Sequence, residues 1–243
     1  MSLIEIYRIL MKSFGEQNWW PIVEGEKCLY KKEFMERERT DDEIFEIMVG
    51  AILTQNTNWT NVVSAIINLK ENNVFSIDKI VKIEDKELSN LIKPTGYYNQ
   101  KAKKLKILTN FLKEKSINEL RKLSTYELRQ SLLSLWGIGY ETADSIVLYG
   151  FNRPVFVVDA YTKRIFLRLG KINENFEYED IRNFFEENLP KDSFIYKEYH
   201  ALIVELGKNL CKKKPFCNDC IFKANCPYLH KNAQSFAQTI QQS

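Results

Sequence analysis

Residues 133–149 read LSLWGIGYETADSIVLY, and this stretch contains a glycine turn between apolar segments. Apolar residues lead into Gly137-Ile138-Gly139, and a helix is expected to begin directly after the turn. The two glycines let the backbone turn tightly and present its N–H groups, while Ile138 would anchor the turn in the core. With the partial positive charge of a helix N-terminus, such a turn can bind a DNA phosphate. Because many helix–helix turns use glycine, the motif alone leaves a purely structural role open.

A second motif, VFVVDAYTKR at residues 155–164, is an apolar run that ends at Asp159 before another expected helix. Asp at such a place is often simply the N-cap of the helix. It also suits a reactive carboxylate, because a side chain directly after a buried run is partly desolvated and faces a cleft. The helix that follows carries two basic residues, Lys163 and Arg164.

Four cysteines near the C-terminus form one motif, C-x5-C-x2-C-x5-C. Because no secretory signal is recognised, metal binding is expected rather than disulfides. Four thiolates suit either a [4Fe–4S] cluster or a tetrahedral zinc ion. The single compact loop is less typical of a zinc ribbon, which has two separated knuckles. The expected ligands are Cys211, Cys217, Cys220 and Cys226.

The composition excludes several other classes of protein. A hydrophobic fraction of 44% is typical of a globular chain, and the low counts of 9 Gly and 6 Pro favour helices over many short strands. No apolar run approaches the roughly 20 residues of a membrane span, and the N-terminus resembles no signal peptide, so a cytoplasmic location is expected. A net charge of +3 does not by itself indicate a nucleic-acid partner. His200 is expected to be structural.

Local signals place several helix ends. Capping boxes are expected at Ser116 and Ser124, where a glutamate follows three residues later. Asp41 or Asp42 is expected to cap the helix that begins nearby. The tail from Lys231, rich in Gln, Ser and Ala, is expected to be frayed.

Taken in order, these motifs resemble the endonuclease III family of helix-hairpin-helix DNA glycosylases, over roughly residues 16–226. The resemblance implies an all-α HhH-GPD fold, in which a DNA and base cleft lies between two helical lobes and a C-terminal loop holds an iron–sulfur cluster. The shared segments are LTQNT at 53–57, GYYNQKA at 96–102, GIGYETA at 137–143, VVDAY at 157–161 and the cysteine loop.

The same resemblance implies two domains. A discontinuous helical domain would join residues 1–40 to 153–243, with the cysteine loop at 211–226. A six-helix domain would span 41–152 and contain the helix-hairpin-helix at about 131–150. The protein is expected to be a monomer that binds double-stranded DNA containing damaged bases, with no membrane partner.

Glu141 narrows the expected reaction. Members of the family that also cleave the DNA backbone carry lysine at this place, as G-x-G-x-K-T-A. Glutamate cannot form a Schiff base. The resemblance therefore implies a monofunctional glycosylase, which hydrolyses the N-glycosidic bond and leaves the backbone intact. Lys163 lies outside the motif and is the remaining candidate for a substitute lysine.

A closer similarity, to the family of 3-methyladenine DNA glycosylase III, points to alkylated purines such as 3-methyladenine. It rests on NWWP at 18–21, VGAILTQNT at 49–57 and KPTGYYNQKAKKL at 93–105. That family need not carry the cysteine loop, and the first cysteine spacing is one residue shorter than in endonuclease III. By this resemblance the base pocket is lined by Trp19, Trp20, Pro21, Phe45 and Lys208.

The implied mechanism takes the damaged base out of the stack into that pocket. Aromatic faces would attract a cationic alkylated base by about 0.5–2 kcal/mol per ring. The ionised Asp159 would stabilise the positive charge that develops on the sugar, and could activate the attacking water. Gln55 and Tyr97 occupy the wedge positions of the family. The expected DNA contacts are Gln55, Tyr97, Gly137, Ile138, Gly139, Lys163 and Arg164.

Two other functions stay open. The first is a bifunctional endonuclease III-type glycosylase and AP lyase that acts on oxidised pyrimidines, against which Glu141 argues. The second is a non-catalytic helix-hairpin-helix module that only binds DNA, against which Asp159 and the candidate pocket argue.

Overall fold

The computed structural model describes residues 1–230, and the tail from Lys231 that was predicted to be frayed lies outside the described residues. The described part is mostly helical, as predicted. Its helices are α1 (Leu3–Phe14), α2 (Glu33–Glu36), α3 (Asp41–Leu53), α4 (Trp59–Glu71), α5 (Ile77–Lys82), α6 (Asp85–Leu91), α7 (Tyr98–Glu114), α8 (Ile117–Lys122), α9 (Thr125–Leu133), α10 (Tyr140–Ser145), α11 (Ala160–Arg168), α12 (Tyr178–Asn188) and α13 (Ser193–Asn209).

Shorter elements in the described part of the chain are two strands, a π-helical turn and three 3-10 turns, Lys93–Thr95, Cys217–Asp219 and Lys223–Asn225. Two strands, β1 (Ile22–Glu24) and β2 (Lys27–Leu29), pair antiparallel, with Val23 opposite Cys28. A π-helical turn, Ile146–Gly150, follows α10 directly. Among the described residues, no helix has both the length and the apolar character that crossing a membrane requires.

Side-chain caps explain where several helices begin. Ser116 and Ser124 each accept a hydrogen bond from the backbone N–H three residues later, so both predicted capping boxes are confirmed. The predicted cap of α3 was wrong, because Thr40 accepts that hydrogen bond instead. Asp41 and Asp42 lie in the first turn of α3, where their negative charges interact favourably with the helix dipole.

Two compact units make up the described residues 1–230. The central unit is Asn18–Pro154, and the terminal unit joins Met1–Gln17 to the described residues from Val155 onward. The predicted division placed residues 18–40 with the chain ends, but they pack in the central unit. The reason is that β1 docks on α3, where the backbone N–H of Val23 donates to the buried Glu46 carboxylate at 2.5 Å.

The central unit has α3 at its core, since residues 44–53 are all buried. Residues 41–152 contain eight α-helices instead of the predicted six. The additional helices are α5 and α6, which have six and seven residues and are too short to show a helical repeat in the sequence.

The terminal unit packs α1, α11 and α12 around α13. Phe156, from the apolar run before Asp159, stacks on Phe185 of α12 with ring centroids 4.0 Å apart. The Tyr199 hydroxyl of α13 donates to the Leu3 carbonyl of α1 at 2.8 Å. Because Phe156 and Tyr199 are fully buried, the backbone that leads to Asp159 is fixed by the core of this unit.

A buried ion pair joins the two helices on either side of the glycine turn. Arg129 of α9 donates to both carboxylate oxygens of Asp144 in α10, at 2.5 and 3.0 Å. Asp144 is fully buried and Arg129 is nearly so. Removal of one partner would leave the other charge uncompensated in the core.

We therefore expect Asp144→Ala to lower the free energy of unfolding by about 3–5 kcal/mol, measured by urea unfolding at pH 7. Asp78→Ala is the matched control, because Asp78 forms an exposed ion pair with Lys113 at 2.8 Å. The control should leave the urea midpoint unchanged within error. Equal losses from the two variants would contradict the assigned role of the buried pair.

Candidate functional site

The hairpin turn between α9 and α10 has the backbone geometry that its glycines allow. Gly137 has a φ of +87°, which residues with side chains rarely adopt, whereas Gly139 is extended. Ile138 between them is buried in the central unit. Because the first N–H groups of a helix have no partner within it, the start of α10 offers hydrogen-bond donors to an anion.

Gln55, two residues after the end of α3, binds this hairpin through its amide nitrogen and α7 through its amide oxygen. Its Nε2 donates to the Gly137 carbonyl at 3.1 Å and to the Thr142 hydroxyl at 3.0 Å. Its Oε1 accepts a hydrogen bond from Lys104 of α7 at 2.5 Å. The structure thus places the predicted wedge side chain against the hairpin, and insertion of Gln55 into DNA stays a prediction.

Lys101, a buried lysine that the sequence analysis did not single out, contacts the backbone close to both predicted wedge residues, Gln55 and Tyr97. Its ammonium group donates to the carbonyls of Leu53 and Thr95, both at 2.8 Å. Burial, followed by the charge of Lys104, lowers the pKa of Lys101 to about 8. The bond to Leu53 fixes the chain two residues before Gln55, and the bond to Thr95 fixes it two residues before Tyr97.

Tyr97 itself stands out from the surface. Its side chain is 68% exposed, and its backbone adopts the left-handed conformation with a φ of +47° at the start of α7. Lys101 holds the backbone near Tyr97 in place. The exposed ring can therefore contact a ligand with little loss of conformational entropy.

The aromatic residues predicted to line a base pocket are largely part of the core of the central unit. Trp20 is 5% exposed and packs edge-on against Trp59, with ring centroids 5.1 Å apart. Pro21 and Phe45 are also buried, and Trp19 is half-buried. Core packing therefore accounts for Trp20, Pro21 and Phe45, and Trp19 is the one of the four residues that is partly exposed.

Asp159 caps α11, which agrees with one of its two interpretations from the sequence. Its Oδ1 accepts hydrogen bonds from the backbone N–H of Thr162 at 2.7 Å and from the Thr162 hydroxyl at 2.8 Å. Its Oδ2 lies 3.7 Å from Nε2 of the buried His200 in α13. Burial acts to raise the pKa of Asp159, but His200 and then Thr162 outweigh it and hold the pKa below its usual value. The carboxylate is therefore ionised at neutral pH although it is nearly inaccessible.

The two basic residues predicted to contact DNA from α11 differ in their surroundings. Lys163 is exposed, and its ammonium group donates to the Phe176 carbonyl at 2.9 Å. Arg164 points along the terminal unit, where it donates to the carbonyls of Cys211 and Gly207 at 3.0 and 3.3 Å. Arg164 therefore fixes the start of the cysteine loop in this structure. Lys208, predicted to line the pocket, is exposed near the end of α13.

The four predicted metal ligands line a single small cavity in the terminal unit. Arg168 of α11 donates to Cys211 Sγ at 3.2 Å and to the Lys212 carbonyl at 2.6 Å, which ties the loop to the helix that Asp159 caps. Burial, and then the neighbouring cysteines, raise the pKa of Cys217. Within residues 1–230, no three His, Cys, Asp or Glu side chains are grouped so as to hold a single metal ion.

Several residues of the site were missed because their partners are distant in sequence. His200 was interpreted as structural, and no local motif connects it with Asp159. Arg129 and Arg168 occur within ordinary helical patterns, and only the fold shows that they hold Asp144 and Cys211. A buried lysine such as Lys101 has no sequence signature that separates it from its exposed neighbours.

A pair of glycine variants tests the geometry of the hairpin. In Gly137→Ala the added Cβ would lie 2.6 Å from Lys104 Cε on a backbone with positive φ, so we expect a loss of about 1–3 kcal/mol in unfolding free energy. In Gly139→Ala the Cβ meets no atom within 4 Å, so stability should hold. Urea unfolding measures both variants, and equal stabilities would show that the turn is not constrained at Gly137.

Comparison with known proteins gives consistent matches. Residues 49–191 match the family described as HhH-GPD superfamily base excision DNA repair protein. A candidate DNA repair glycosylase of Methanocaldococcus jannaschii is 48% identical over 228 residues, which cover 92% of this chain and 95% of that protein.

Solved structures agree with this family match. The H. pylori 3-methyladenine DNA glycosylase (MagIII) bound to 1,N6-ethenoadenine matches with a TM-score of 0.65 and 27% identity, covering 86% of this chain and 98% of that one. A trapped endonuclease III–DNA covalent intermediate matches with a TM-score of 0.75 and 21% identity, covering 95% and 97%. The second likeness concerns the fold alone.

Proposed function

The chain belongs to the HhH-GPD superfamily of base excision DNA repair glycosylases, and we propose that it hydrolyses the N-glycosidic bond of alkylated purines such as 3-methyladenine in double-stranded DNA. The observation that carries this proposal is the buried, ionised carboxylate of Asp159. The proposal includes a monomer that acts on DNA in the cytoplasm.

Asp159 supplies the negative charge that the reaction needs. As the glycosidic bond breaks, the sugar becomes cationic, and unit charges 4 Å apart near a protein surface attract by about 4 kcal/mol. Thr162 occupies Oδ1 at 2.7 and 2.8 Å, whereas the nearest partner of Oδ2 is His200 at 3.7 Å. Oδ2 is therefore the more loosely held oxygen and the one proposed to face the sugar or the attacking water. Because the carboxylate is already ionised and oriented, little reorganisation accompanies the reaction.

Alkylated purines are favoured by two observations. The segment at 18–21 resembles the base-binding segment of 3-methyladenine DNA glycosylase III, and the H. pylori enzyme of that name matches this chain at 27% identity. A base that carries a positive charge is already a good leaving group, so selective binding needs few hydrogen bonds. Aromatic faces attract such a cation, and Trp19 is the partly exposed aromatic residue of the segment.

A reaction without backbone cleavage is favoured by the first turn of α10. Glu141 lies exposed there. By the resemblance to the endonuclease III family, members with lyase activity carry lysine at this position. A carboxylate cannot form the Schiff base on which the lyase reaction depends. In the terminal unit, Lys163 is engaged with the Phe176 carbonyl.

Substitution of Asp159 tests the proposed chemistry. Asp159→Asn keeps an acceptor for Thr162 but removes the charge, so we expect 3-methyladenine release from methylated duplex DNA to fall about a thousandfold. DNA binding and the urea midpoint should change little. Asp159→Ala also loses the cap of α11 and should lose a further 0.5–2 kcal/mol, roughly, in stability. Unimpaired release by Asp159→Asn would refute the assignment.

We propose that the four cysteines hold a [4Fe–4S] cluster. All four thiols face one cavity, yet no three of them are grouped tightly enough for a single ion. A cubane cluster binds each cysteine through a different iron, and therefore needs its ligands farther apart than zinc does. Bound there, the cluster would cross-link residues 211–226 and supply no step of the hydrolysis.

Metal analysis tests this assignment. Protein purified without oxygen should contain about four irons per chain and absorb visible light, as expected for this cluster type. Cys220→Ser should lose iron and lower the thermal midpoint, because metal binding contributes to folding. Cys28→Ser is the control and should keep the iron, since Cys28 lies in the central unit. Stoichiometric zinc without iron would contradict the proposal.

A further inference from the structure

Two large aromatic side chains on either side of the hairpin are exposed, although Ile138 between them is buried. Trp136 precedes Gly137 and is 52% exposed, and Tyr140 follows Gly139 and is 46% exposed. Rings of this size bury readily, so two of them exposed around one turn indicate a surface that another molecule covers.

Cationic side chains hold both rings in place. The Lys103 ammonium lies 4.7 Å from the centroid of the Trp136 ring, and the Arg129 guanidinium lies 5.2 Å from that of Tyr140. Arg129 is itself fixed by its buried pair with Asp144. The two rings are therefore preorganised, and binding them costs little side-chain entropy.

The charge around the turn suits a polyanion. Lys103 is exposed on α7, and Lys104 of the same helix lies beside Gly137. Together they place two positive charges against the single negative charge of Glu141 in the first turn of α10. This net positive charge favours a nucleic-acid strand over an uncharged protein surface as the partner.

Along the chain, the glycine turn lies between Trp136 and Tyr140. Each phosphate has a deoxyribose on either side, and the C–H face of a sugar packs against an aromatic ring. We infer that Trp136 and Tyr140 form an aromatic clasp, which packs against the deoxyribose rings that flank a hairpin-bound phosphate of one DNA strand. The inference takes its partner, DNA, from the proposed function.

The salt dependence of DNA affinity distinguishes contacts made by the apolar clasp from contacts made by the lysines beside it. Contacts with phosphates release counterions, so each contact adds about 0.9 to the slope of log K against log salt. Packing against sugars releases none. The clasp should therefore contribute affinity that is independent of salt and of the damaged base.

The test is fluorescence anisotropy with a short, labelled, undamaged duplex over a range of salt concentrations. We expect the double variant Trp136→Ala, Tyr140→Ala to bind about tenfold more weakly with an unchanged salt slope. Lys103→Gln should reduce the slope by about 0.9. Trp136→Phe should recover most of the affinity that Trp136→Ala loses.

The matched control is Tyr126→Ala on α9, because Tyr126 is 72% exposed but lies outside the turn. It should bind the duplex as the wild type does. Wild-type affinity of the double variant, as expected if a protein or a second copy covers the rings instead, would overturn the inference. So would an equal loss from Tyr126→Ala, or a reduced salt slope in the double variant.

Base release, measured separately at saturating enzyme, keeps this inference distinct from the proposed function. A wild type that releases no base but binds DNA through the two rings refutes the glycosylase assignment alone. Normal base release with no contribution from the rings to affinity refutes the clasp alone.

Discussion

A buried carboxylate stays ionised only when donors inside the protein replace the water that it has lost. Asp159 meets this condition through the backbone N–H and hydroxyl of Thr162 and through the nearby His200. The terminal unit is arranged around that requirement, since α11 must begin at Asp159 and α13 must bring His200 within reach. At the other end of α11, Arg168 holds Cys211, so the helix that carries the charge is fixed at both ends.

In the central unit, the polar groups behind the hairpin turn are satisfied by side chains from other helices. Gln55 covers the Gly137 carbonyl, and Lys104 satisfies Gln55 in turn. The pair of Arg129 and Asp144 joins the helices on either side of the turn. These contacts leave the hairpin rigid before any DNA is present, which reduces the entropy cost of binding.

Local signals in the sequence were sufficient for the helical class, for the caps at Ser116 and Ser124 and for the position of Asp159. They were insufficient where two competing caps lie side by side, as at Thr40 and Asp41, because small differences in backbone geometry select the one that accepts the hydrogen bond. The contacts of His200, Lys101 and Gln55 depend on helices that meet only in the folded chain.

The segment at residues 18–21 also shows that local sequence does not determine tertiary contacts. The sequence singles out Trp19 and Trp20 as neighbours with one expected role, but packing divides them. Trp20 fills the space that Gly50 leaves open in α3, where a Cβ would lie 3.3 Å from its ring, whereas Trp19 stays half-buried. The helix against which a side chain packs decides whether that side chain is buried. The four-residue segment at 18–21 contains no information about that helix.

The proposed reaction releases a damaged base through the charge of Asp159 and without a lysine intermediate. The most direct measurement incubates the wild type with methylated duplex DNA in the presence of borohydride, and follows free base, strand breaks and protein–DNA adducts in one reaction. We expect release of 3-methyladenine with intact strands and no adduct, because hydrolysis forms no Schiff base. A borohydride-trapped adduct on a lysine, with cleaved strands, would contradict it.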